Sequence, residues 1–340
     1  MRAFVIDAPG RASVVDVPAP VAGAGQVVVD VERAGVCGTD VEFYTGDMAY
    51  LHDGNAAYPV RIGHEWCGTV ASVGPGVEGS WLGRRVTGDT MLGCGRCVRC
   101  RSDRQHVCEH RMEIGIRGGW AGALAEQVLV PVSALHCLPE QLDVVAGALV
   151  EPGGNALRAV QAAQLSPGVR VLIWGPGSIG LLAAGFAAAT GAEVHLAGTE
   201  PASLSFARSL GYRSSWDAAQ LPDVPFDAMI DATYGADVPR AALELVEPGG
   251  RLVLIGIAGR PSPIDTRELV LKDVTAVGIL SASPGLAEAI AQYASGAVDP
   301  RPLVAATVGL DDVEGVLAGR RPPGAGAGPK VHVDPGQRTR

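Results

Sequence analysis

The sequence contains no long apolar run. Its longest apolar stretch, residues 179–189, is rich in alanine and is interrupted by Gly180 and Gly185. A membrane-spanning helix needs about 20 successive apolar residues, so no membrane span is predicted. Only four successive apolar residues precede Asp7 and the turn at Pro9–Gly10, which is too few for a signal-peptide core. We therefore expect a cytoplasmic protein that has no membrane partner.

Basic residues are also scarce. The chain has 27 Lys and Arg against 36 Asp and Glu, a net charge of −9. A nucleic-acid-binding domain usually carries a basic patch, and no basic run occurs, so we expect no nucleic-acid partner. The apolar fraction of 47% over 340 residues argues against general disorder. The length is that of about two domains.

Seven cysteines, an odd number, argue against a disulfide framework in a cytoplasmic chain. Four of them lie within fifteen residues, with the spacing C-x2-C-x2-C-x7-C: Cys94, Cys97, Cys100 and Cys108. Four thiolates in one loop suit tetrahedral zinc, and an iron–sulfur cluster is the main alternative. A closed shell of four cysteines leaves no open position, so this zinc is predicted to be structural.

The organisation of the chain changes near residue 150. Short, β-branched segments bounded by glycine and proline precede it, at 27–32, 68–74 and 125–130, and indicate a small barrel or sandwich. From Val169 onward, predicted strands alternate with helices, as in a parallel, doubly wound α/β sheet. The strand candidates there are 169–174, 193–197, 226–232, 251–256 and 274–280, and the helix candidates are 178–190, 201–210 and 286–294. A last strand is predicted at 330–333.

A glycine-rich turn follows the first strand of the alternating region. Its sequence is Gly175-Pro176-Gly177-Ser178-Ile179-Gly180, a G-x-G-x-x-G pattern that opens a helix. Gly175 is expected to make the turn, Gly177 to let a pyrophosphate approach the backbone, and Gly180 to let the helix pack on the strand. The helix N-terminus would face the phosphates. The alternative is a tight turn without a ligand.

The end of the second strand bears on the choice between NAD and NADP. Glu200 lies 20 residues after Gly180, where an acid that binds the ribose is expected. Gly198 ends the apolar run and would leave space for a 2′-phosphate, to which Thr199 could hydrogen-bond. No Lys or Arg lies nearby and Glu200 would repel a phosphate, so we expect NAD to be favoured over NADP.

Further candidate metal ligands stand in three separate segments. Cys37 lies in Gly-Val-Cys-Gly-Thr-Asp at 35–40, His64 and Glu65 lie in Gly-His-Glu-Trp at 63–66, and Glu151 precedes Pro152. A cysteine, a histidine and a carboxylate, with water, make an open zinc site. Each residue alone is more often a core or hydrogen-bonding residue, and spacing does not join them.

These segments, the four-cysteine lobe and the G-P-G-S-I-G turn occur in the same order as in the zinc-dependent medium-chain alcohol dehydrogenases. The sequence resembles that family over essentially its whole length, and it looks most like the branch of polyol, sorbitol, threonine and butanediol dehydrogenases. The resemblance implies a GroES-like catalytic domain at 1–150 and 285–340, with a structural zinc lobe at 94–108. It further implies a Rossmann domain at 151–284, a cleft between the domains, and a homodimer or homotetramer.

The resemblance also implies two zinc ions per subunit, one catalytic and one structural. Cys37 and His64 are similar to the first two catalytic-zinc ligands of the family. Glu65 is similar to the carboxylate that binds zinc or sits just behind it, and Glu151 to the residue at the third protein-ligand position. Thr39 is similar to the hydroxyl of the proton relay. Glu42, however, stands where many relatives have a relay histidine, and Gly198 where many NAD-specific relatives have an acid.

The implied reaction is hydride transfer between a secondary alcohol of sugar, polyol or aminocyclitol type and NAD(P), which yields the ketone. A simple diol or an amino-acid alcohol is the alternative substrate. Between two metal-ligand segments, the loop at 44–58 offers groups for such substrates: Tyr44, Asp47, Tyr50, His52, Asp53 and Asn55. Two other classes remain: a zinc-free enoyl or quinone reductase, which the candidate metal ligands disfavour, and a catalytically inactive zinc- and nucleotide-binding sensor.

Overall fold

The computed structural model describes residues 1–338. Short strands dominate the first part of the chain: β1 (Arg2–Ala8), β2 (Arg11–Asp16), β3 (Gln26–Gly35), β4 (Glu65–Val73), β5 (Arg85–Gly88), β6 (Met91–Leu92), β7 (Met112–Glu113), β8 (Gln127–Pro131) and β9 (Leu135–Cys137). The helices that accompany and follow them are α1 (Gly38–Thr45), α2 (Ala49–His52), α3 (Val98–Arg101), α4 (Val144–Ala148) and α5 (Val150–Ala163).

Strand β3 is the centre of the first large sheet. It pairs antiparallel with both β4 and β8. Strand β4 also pairs antiparallel with β5, and β5 pairs antiparallel with β9. Val27, Val29 and Val31 are buried and repeat every second residue, the period that places side chains on one face of a strand. They pack in a core with Trp66 and Phe43. This β-rich part is the one predicted from the first 145 residues.

The second part alternates strands and helices, as predicted. Its elements are β10 (Arg170–Trp174), α6 (Ser178–Ala189), β11 (Glu193–Gly198), α7 (Pro201–Ser209), β12 (Ser215–Asp217), β13 (Phe226–Asp231), α8 (Val238–Leu245), β14 (Val246–Leu254), α9 (Thr266–Leu271), β15 (Thr275–Gly278) and α10 (Leu286–Ala294). All pairs in this sheet are parallel, in the order β12-β11-β10-β13-β14-β15. Numbered within the sheet, this is 3-2-1-4-5-6, the order of a Rossmann fold. The predicted fold class is confirmed.

The C-terminal elements return to the first sheet. They are β16 (Val304–Val308), α11 (Val313–Leu317) and β17 (Lys330–Val333). Strand β17 pairs antiparallel with β3, with His332 opposite Gly35, and β16 pairs with β17. Helices α5 and α10 pack in one core cluster with α6 and the central Rossmann strands. The domain bounds at 150/151 and 284/285 stay a prediction. No helix within residues 1–338 is both long and apolar enough to cross a membrane.

Candidate functional site

The pairing of β3 with β4 brings the first two candidate ligand segments together. Gly35, the last residue of β3, lies opposite Glu65, the first residue of β4. Cys37 follows β3 and caps the N-terminus of α1, and His64 immediately precedes β4. One ligand atom from each of Cys37, His64 and Glu65 lies within 4.8 Å of the other two. Residues 28 positions apart in sequence thus form one cluster of sulfur, nitrogen and oxygen donors.

Asp40 contacts the segments that carry both Cys37 and His64. Its carboxylate is completely buried, accepts a hydrogen bond from the Cys37 backbone N–H at 2.8 Å, and accepts another from Gly63 N–H at 3.2 Å. The same carboxylate approaches His64 Nδ1 to 3.8 Å. A carboxylate behind a ligating histidine fixes the orientation of the ring. Burial lowers the pKa of His64, but contacts with Cys37 and the charges of Asp40 and Glu151 outweigh it, so the pKa is raised.

Glu65 has a partner that the sequence reasoning missed. Lys330, at the start of β17, donates hydrogen bonds to both carboxylate oxygens of Glu65, at 2.7 and 2.8 Å, and both residues are almost completely buried. A Cβ at Gly35 would overlap Glu65 Oε2, so only glycine leaves room for the pair. A lysine in a short terminal strand that is otherwise formed by valines and His332 was the available signal. Glu65 is therefore held beside the cluster by an ion pair as well as by its strand.

Glu151 and Thr39 approach the cluster from two helices. Glu151 lies in the first turn of α5, is buried, and accepts a hydrogen bond from Asn155 Nδ2 at 2.9 Å. Burial raises the pKa of Glu151 to about 7, and the charges of both His64 and Glu65 act on it. It does not belong to the set within 4.8 Å. Thr39 lies on α1, in the wall of the adjoining cleft. Their roles as ligand and proton carrier stay predictions.

The donor set fits zinc. A thiol, an imidazole and carboxylates are the ligands of catalytic zinc sites, where three protein groups leave a position open for water or substrate. His64 Nδ1 is buried and faces the Asp40 carboxylate at 3.8 Å, which is the arrangement of a ring whose other nitrogen binds a metal. Cys37 and His64 would hold the ion with Glu151 or Glu65 as the third ligand.

In the four-cysteine lobe, all four candidate ligands lie close together. Its sulfur atoms lie within 4.8 Å of one another, and three pairs are separated by 3.5, 3.8 and 4.0 Å. Four sulfurs bound tetrahedrally at about 2.3 Å from zinc lie about 3.8 Å apart. The lobe therefore has the shape of a closed zinc site, and all four cysteines have free thiols in the chain as described.

Local hydrogen bonds prepare two of these thiols for metal binding. Backbone N–H groups of Arg96 and Cys97 lower the pKa of Cys94 to about 6, and the N–H of Cys100 lowers that of Cys97. Cys97 caps the N-terminus of α3, where its sulfur accepts the Cys100 N–H at 3.4 Å. Burial raises the pKa of Cys100 to about 12. A thiolate is the form that binds zinc, so a bound ion would deprotonate Cys100.

A cleft of about 300 Å³ lies between the two parts of the chain. Thr39, Glu42 and Tyr50 line it from the first part, and Ile179, Tyr234 and Ile257 line it from the second. Ile179 belongs to the glycine-rich turn, so the cleft joins the predicted nucleotide site to the segment that follows Cys37.

The glycine-rich turn has the predicted geometry. Gly175 has a φ of +98°, which favours glycine, and helix α6 begins at Ser178 with Gly177 at its N-cap. A Cβ at Gly180 would overlap the Gly175 carbonyl oxygen, whereas a Cβ at Gly177 would meet nothing within 4 Å. The turn is thus tightly packed at Gly180 and open at Gly177, as the approach of a pyrophosphate to the backbone requires.

At the end of β11, Gly198 packs against the ring of Pro176. A Cβ at this position would lie 2.7 Å from Cδ of Pro176, so a larger residue would displace that ring. The expected room for a 2′-phosphate beside Gly198 stays a prediction. Thr199 and Glu200 are exposed beyond the strand, and Glu200 is the N-cap residue of α7.

The loop at 44–58 contributes Tyr50 to the cleft. The Tyr50 hydroxyl meets Glu113 Oε1 at 3.1 Å and accepts a hydrogen bond from Arg111 Nη2 at 3.1 Å. Arg117 lies over the Tyr50 ring, 5.4 Å from its centre, and binds Asn55 Oδ1. Other loop candidates contact protein groups: Tyr44 bonds to Glu314, Asp47 to Thr45, and His52 to the Gly46 carbonyl. Sequence reasoning missed Arg111, Glu113 and Arg117, which follow the four-cysteine lobe.

Comparison with known proteins gives two family matches. The alcohol dehydrogenase GroES-like domain matches residues 23–140, and the zinc-binding dehydrogenase family matches residues 178–295. The matches include the Cys37, His64 and four-cysteine segments in the first and most of the parallel sheet in the second.

Individual relatives cover most of the chain. A 2-dehydro-3-deoxy-L-galactonate 5-dehydrogenase of Pseudoalteromonas atlantica is 32% identical over 309 residues, which are 87% of this chain and 88% of the relative. An L-threonine 3-dehydrogenase of Anaeromyxobacter dehalogenans is 31% identical over 78% of each chain. The crystal structure of a zinc-binding dehydrogenase of Sinorhizobium meliloti, bound to NADP, is 29% identical, with a TM-score of 0.88 over 98% of this chain and 99% of that one.

Proposed function

The chain belongs to the zinc-dependent medium-chain alcohol dehydrogenase family, and from this premise we propose that it oxidises a secondary alcohol of sugar, polyol or aminocyclitol type to the ketone with NAD(P). The observation that carries the proposal is the convergence of Cys37, His64 and Glu65 within 4.8 Å, close to a cleft that the glycine-rich turn also lines. An amino-acid alcohol is the second candidate substrate, because a relative 31% identical is an L-threonine 3-dehydrogenase.

Each proposed residue has one task. When bound, zinc supplies a Lewis acid for the alcohol oxygen, and the dinucleotide supplies the hydride acceptor. Cys37 and His64, with Glu151 or Glu65, would hold the zinc, while Asp40 lies behind His64 and Lys330 binds Glu65. The Thr39 hydroxyl would accept the proton of the alcohol while it passes its own proton outward to solvent, so that it is unchanged after the transfer. Ile179 and Ile257 supply apolar side chains to the wall of the cleft on the nucleotide side.

We propose that NAD is preferred to NADP. The support comes from Glu200, which follows β11 with an exposed side chain and accepts hydrogen bonds from ribose hydroxyls in the proposed complex. A 2′-phosphate at the same place would face like charge. The close packing of Pro176 on Gly198, where a Cβ would lie 2.7 Å from Cδ, narrows the space at this position and supports the same preference.

We further propose a homodimer or homotetramer in the cytoplasm. The free thiols at seven cysteines suit a reducing compartment.

The support for an oligomer comes from an edge of the parallel sheet. Strand β15 is the last strand of this sheet, and Thr275, Ala276 and Gly278 on it are exposed. Val270 and Leu271, just before it, are each 79% exposed. Such an edge favours pairing with the same strand of a second copy. Light scattering of the wild type and of Leu271→Asp tests this assembly, which the substitution should weaken.

The experiment for the activity combines metal analysis with a substrate screen. The purified chain should contain about two zinc ions per subunit and should reduce NAD in the presence of polyols, sugar acids or amino alcohols. Cys37→Ser should abolish turnover and keep dinucleotide binding, since the two sites come from different parts of the chain. Cys137→Ser is the matched control, because Cys137 is exposed and lies outside both cysteine clusters. One zinc without turnover would favour the inactive sensor, and turnover without zinc the zinc-free reductase.

A further inference from the structure

Tyr234 lies where the parallel sheet reverses its strand order. It follows β13, which pairs with β10 so that Asp231 lies opposite Trp174 at the carboxyl ends of the two strands. The glycine-rich turn follows β10 at the same edge of the sheet. Strands β10 and β13 are the first and fourth strands of the Rossmann order, and ligands of such sheets bind in the crevice at this switch point. Tyr234 therefore stands beside the predicted nucleotide site.

The segment that carries Tyr234 is fixed next to the glycine-rich turn. Thr233 donates hydrogen bonds from its backbone N–H and its hydroxyl to the buried Asp231 carboxylate, at 2.9 and 2.7 Å. The Thr233 hydroxyl in turn accepts a hydrogen bond from Gly235 N–H at 3.0 Å. A Cβ at Gly175, the first glycine of the turn, would lie 2.8 Å from Cγ2 of Thr233. The backbone of Tyr234 is thus held beside the turn by the residues on both sides of it.

The Tyr234 side chain reaches across the cleft to α1. A Cβ at Gly38 would overlap the Tyr234 hydroxyl oxygen, although the two residues belong to different parts of the chain. Gly38 is the first residue of α1 and follows Cys37, the sulfur donor of the candidate metal cluster. Most of the tyrosine remains uncovered, since Tyr234 is 65% exposed. Tyr234 thus bridges the space between the turn and the cluster and leaves its surface accessible to a ligand in the cleft.

Phosphate-binding groups are unevenly distributed around this cleft. Backbone N–H groups are available at the N-terminus of α6, where Gly177 leaves the approach open. None of the cleft residues is a lysine or an arginine. Of the hydroxyl groups that line the cleft, those of Tyr50 and Thr233 already donate to carboxylates, and Thr39 is the proposed proton carrier. The hydroxyl of Tyr234 is therefore the side-chain donor that suits a phosphate between the turn and the cluster.

We propose that Tyr234 binds the cofactor, with its hydroxyl donating a hydrogen bond to the dinucleotide phosphate nearer the nicotinamide. A dinucleotide that begins at the glycine-rich turn and reaches the cluster at Cys37 passes Tyr234, which touches α1 next to that cysteine. A hydrogen bond to a charged phosphate is stronger than one to a neutral group. Glycine at position 38 keeps the space into which the hydroxyl extends, so Gly38 and Tyr234 act as a pair.

The inference rests on the proposed dinucleotide site and adds a residue to it. Three ligands test it with the full, zinc-loaded chain: NADH, ADP and AMP. NADH and ADP contain the second phosphate, whereas AMP contains only the adenosine half with one phosphate. Tyr234→Phe removes the hydroxyl and keeps the ring, so the Kd values of NADH and ADP should rise about tenfold, the size of one hydrogen bond to a charged group. The Kd of AMP should stay the same. Calorimetry measures all three values.

Two further variants sharpen the test. Tyr212→Phe is the matched control, because Tyr212 lies in the same part of the chain but lines a separate cavity with Leu181 and Val298, so no Kd should change. Gly38→Ala should weaken NADH binding in the wild type, since its Cβ displaces the Tyr234 hydroxyl. The same substitution should add little to the effect of Tyr234→Phe, which lacks that oxygen.

Three results would overturn the inference and leave the dehydrogenase proposal intact. An unchanged Kd for NADH in Tyr234→Phe would show that the hydroxyl does not bind the cofactor. A loss confined to NADH would place the hydroxyl on the nicotinamide or its ribose, and an equal loss for AMP would place it on the adenosine half. If the wild type binds none of the three ligands, the proposed dinucleotide site is wrong and the inference fails with it.

Discussion

The buried ion pair between Lys330 and Glu65 gives the sharpest stability prediction. Lys330 is 3% exposed and Glu65 is 1% exposed, with Nζ–O distances of 2.7 and 2.8 Å. Burial lowers the pKa of Lys330, but the charge of Glu65 outweighs it and raises the pKa, so the ammonium form is kept. Lys330→Met leaves a carboxylate buried without its cation. We expect a loss of about 3–5 kcal/mol in the free energy of unfolding, the usual cost of breaking a buried pair.

The second partner decides whether charge or packing causes the loss. Glu65→Gln should cost a similar amount, because the ammonium group of Lys330 is then buried alone. The double variant should recover part of the loss, because neither charge is then buried alone; the amide of Glu65→Gln, buried without a partner, accounts for the rest. The surface pair Arg240–Glu244 is the control: its N–O distance is also 2.8 Å, but its side chains are 49% and 58% exposed. Arg240→Met should cost only about 0.3–0.5 kcal/mol.

The assay is thermal and urea unfolding of the wild type, Lys330→Met, Glu65→Gln and the double variant, with the zinc content measured in each sample. Equal zinc content matters because Glu65 adjoins the predicted metal ligands. Lys330→Met should melt roughly 10 °C lower than the wild type. Additive effects of the two single substitutions, within about 0.5 kcal/mol, would refute the reasoning, because uncoupled residues add in this way.

Three other predictions concern the metals and the cofactor. Cys97→Ser should lose about one of two zinc ions and melt at a lower temperature than Cys137→Ser, and retention of both ions would contradict the structural site. Zinc affinity at the catalytic site should fall as the pH drops below about 7, because burial keeps Glu151 protonated there and zinc binds the carboxylate form. Zinc titrations at several pH values should show that the affinity of Glu151→Gln depends less on pH than that of the wild type. Glu200→Arg should shift kcat/KM towards NADP from a wild-type NAD preference of about one to two orders of magnitude, or roughly 1.4–2.8 kcal/mol, and a wild type that already prefers NADP would contradict the role of Glu200.

Local patterns predicted the regular elements well. The predicted helix at 286–294 and the predicted strand at 330–333 match α10 and β17, and β10, α6 and α7 differ from prediction by one residue at an end. In each of these segments the apolar residues recur with the spacing of a helix or a strand over the whole length of the element, so the sequence alone identifies it. Strand β12, with three residues, is too short to show a period and was not predicted. Strand β14 begins at Val246 rather than at residue 251, because it runs through Gly249–Gly250, which interrupt the apolar pattern.

Contacts made across the sheets were less accessible to sequence reasoning. Spacing alone predicted the four-cysteine cluster, because all its ligands belong to one short loop. The contact between Lys330 and Glu65 depends instead on the register of β17 on β3 and of β3 on β4. The Tyr50–Arg111 contact likewise joins a loop to the segment after the zinc lobe. No sequence period encodes either register, so only the folded chain shows these partners.

The balance of charge around Cys37 explains why this site is suited to a divalent cation. Asp40, Glu65 and Glu151 are three buried carboxyl groups, and Lys330 is the buried lysine that faces them. Burial raises the pKa of both Asp40 and Glu151, and that of Glu151 rises to about 7, so Glu151 carries a proton for part of the time at neutral pH in the chain without metal. A cation at Cys37 and His64 would replace that proton and allow Glu151 to ionise with its charge compensated. Metal binding and proton release are therefore expected to be coupled at this site, and the fixed pair with Lys330 leaves Glu151 as the carboxyl group that responds most to the metal.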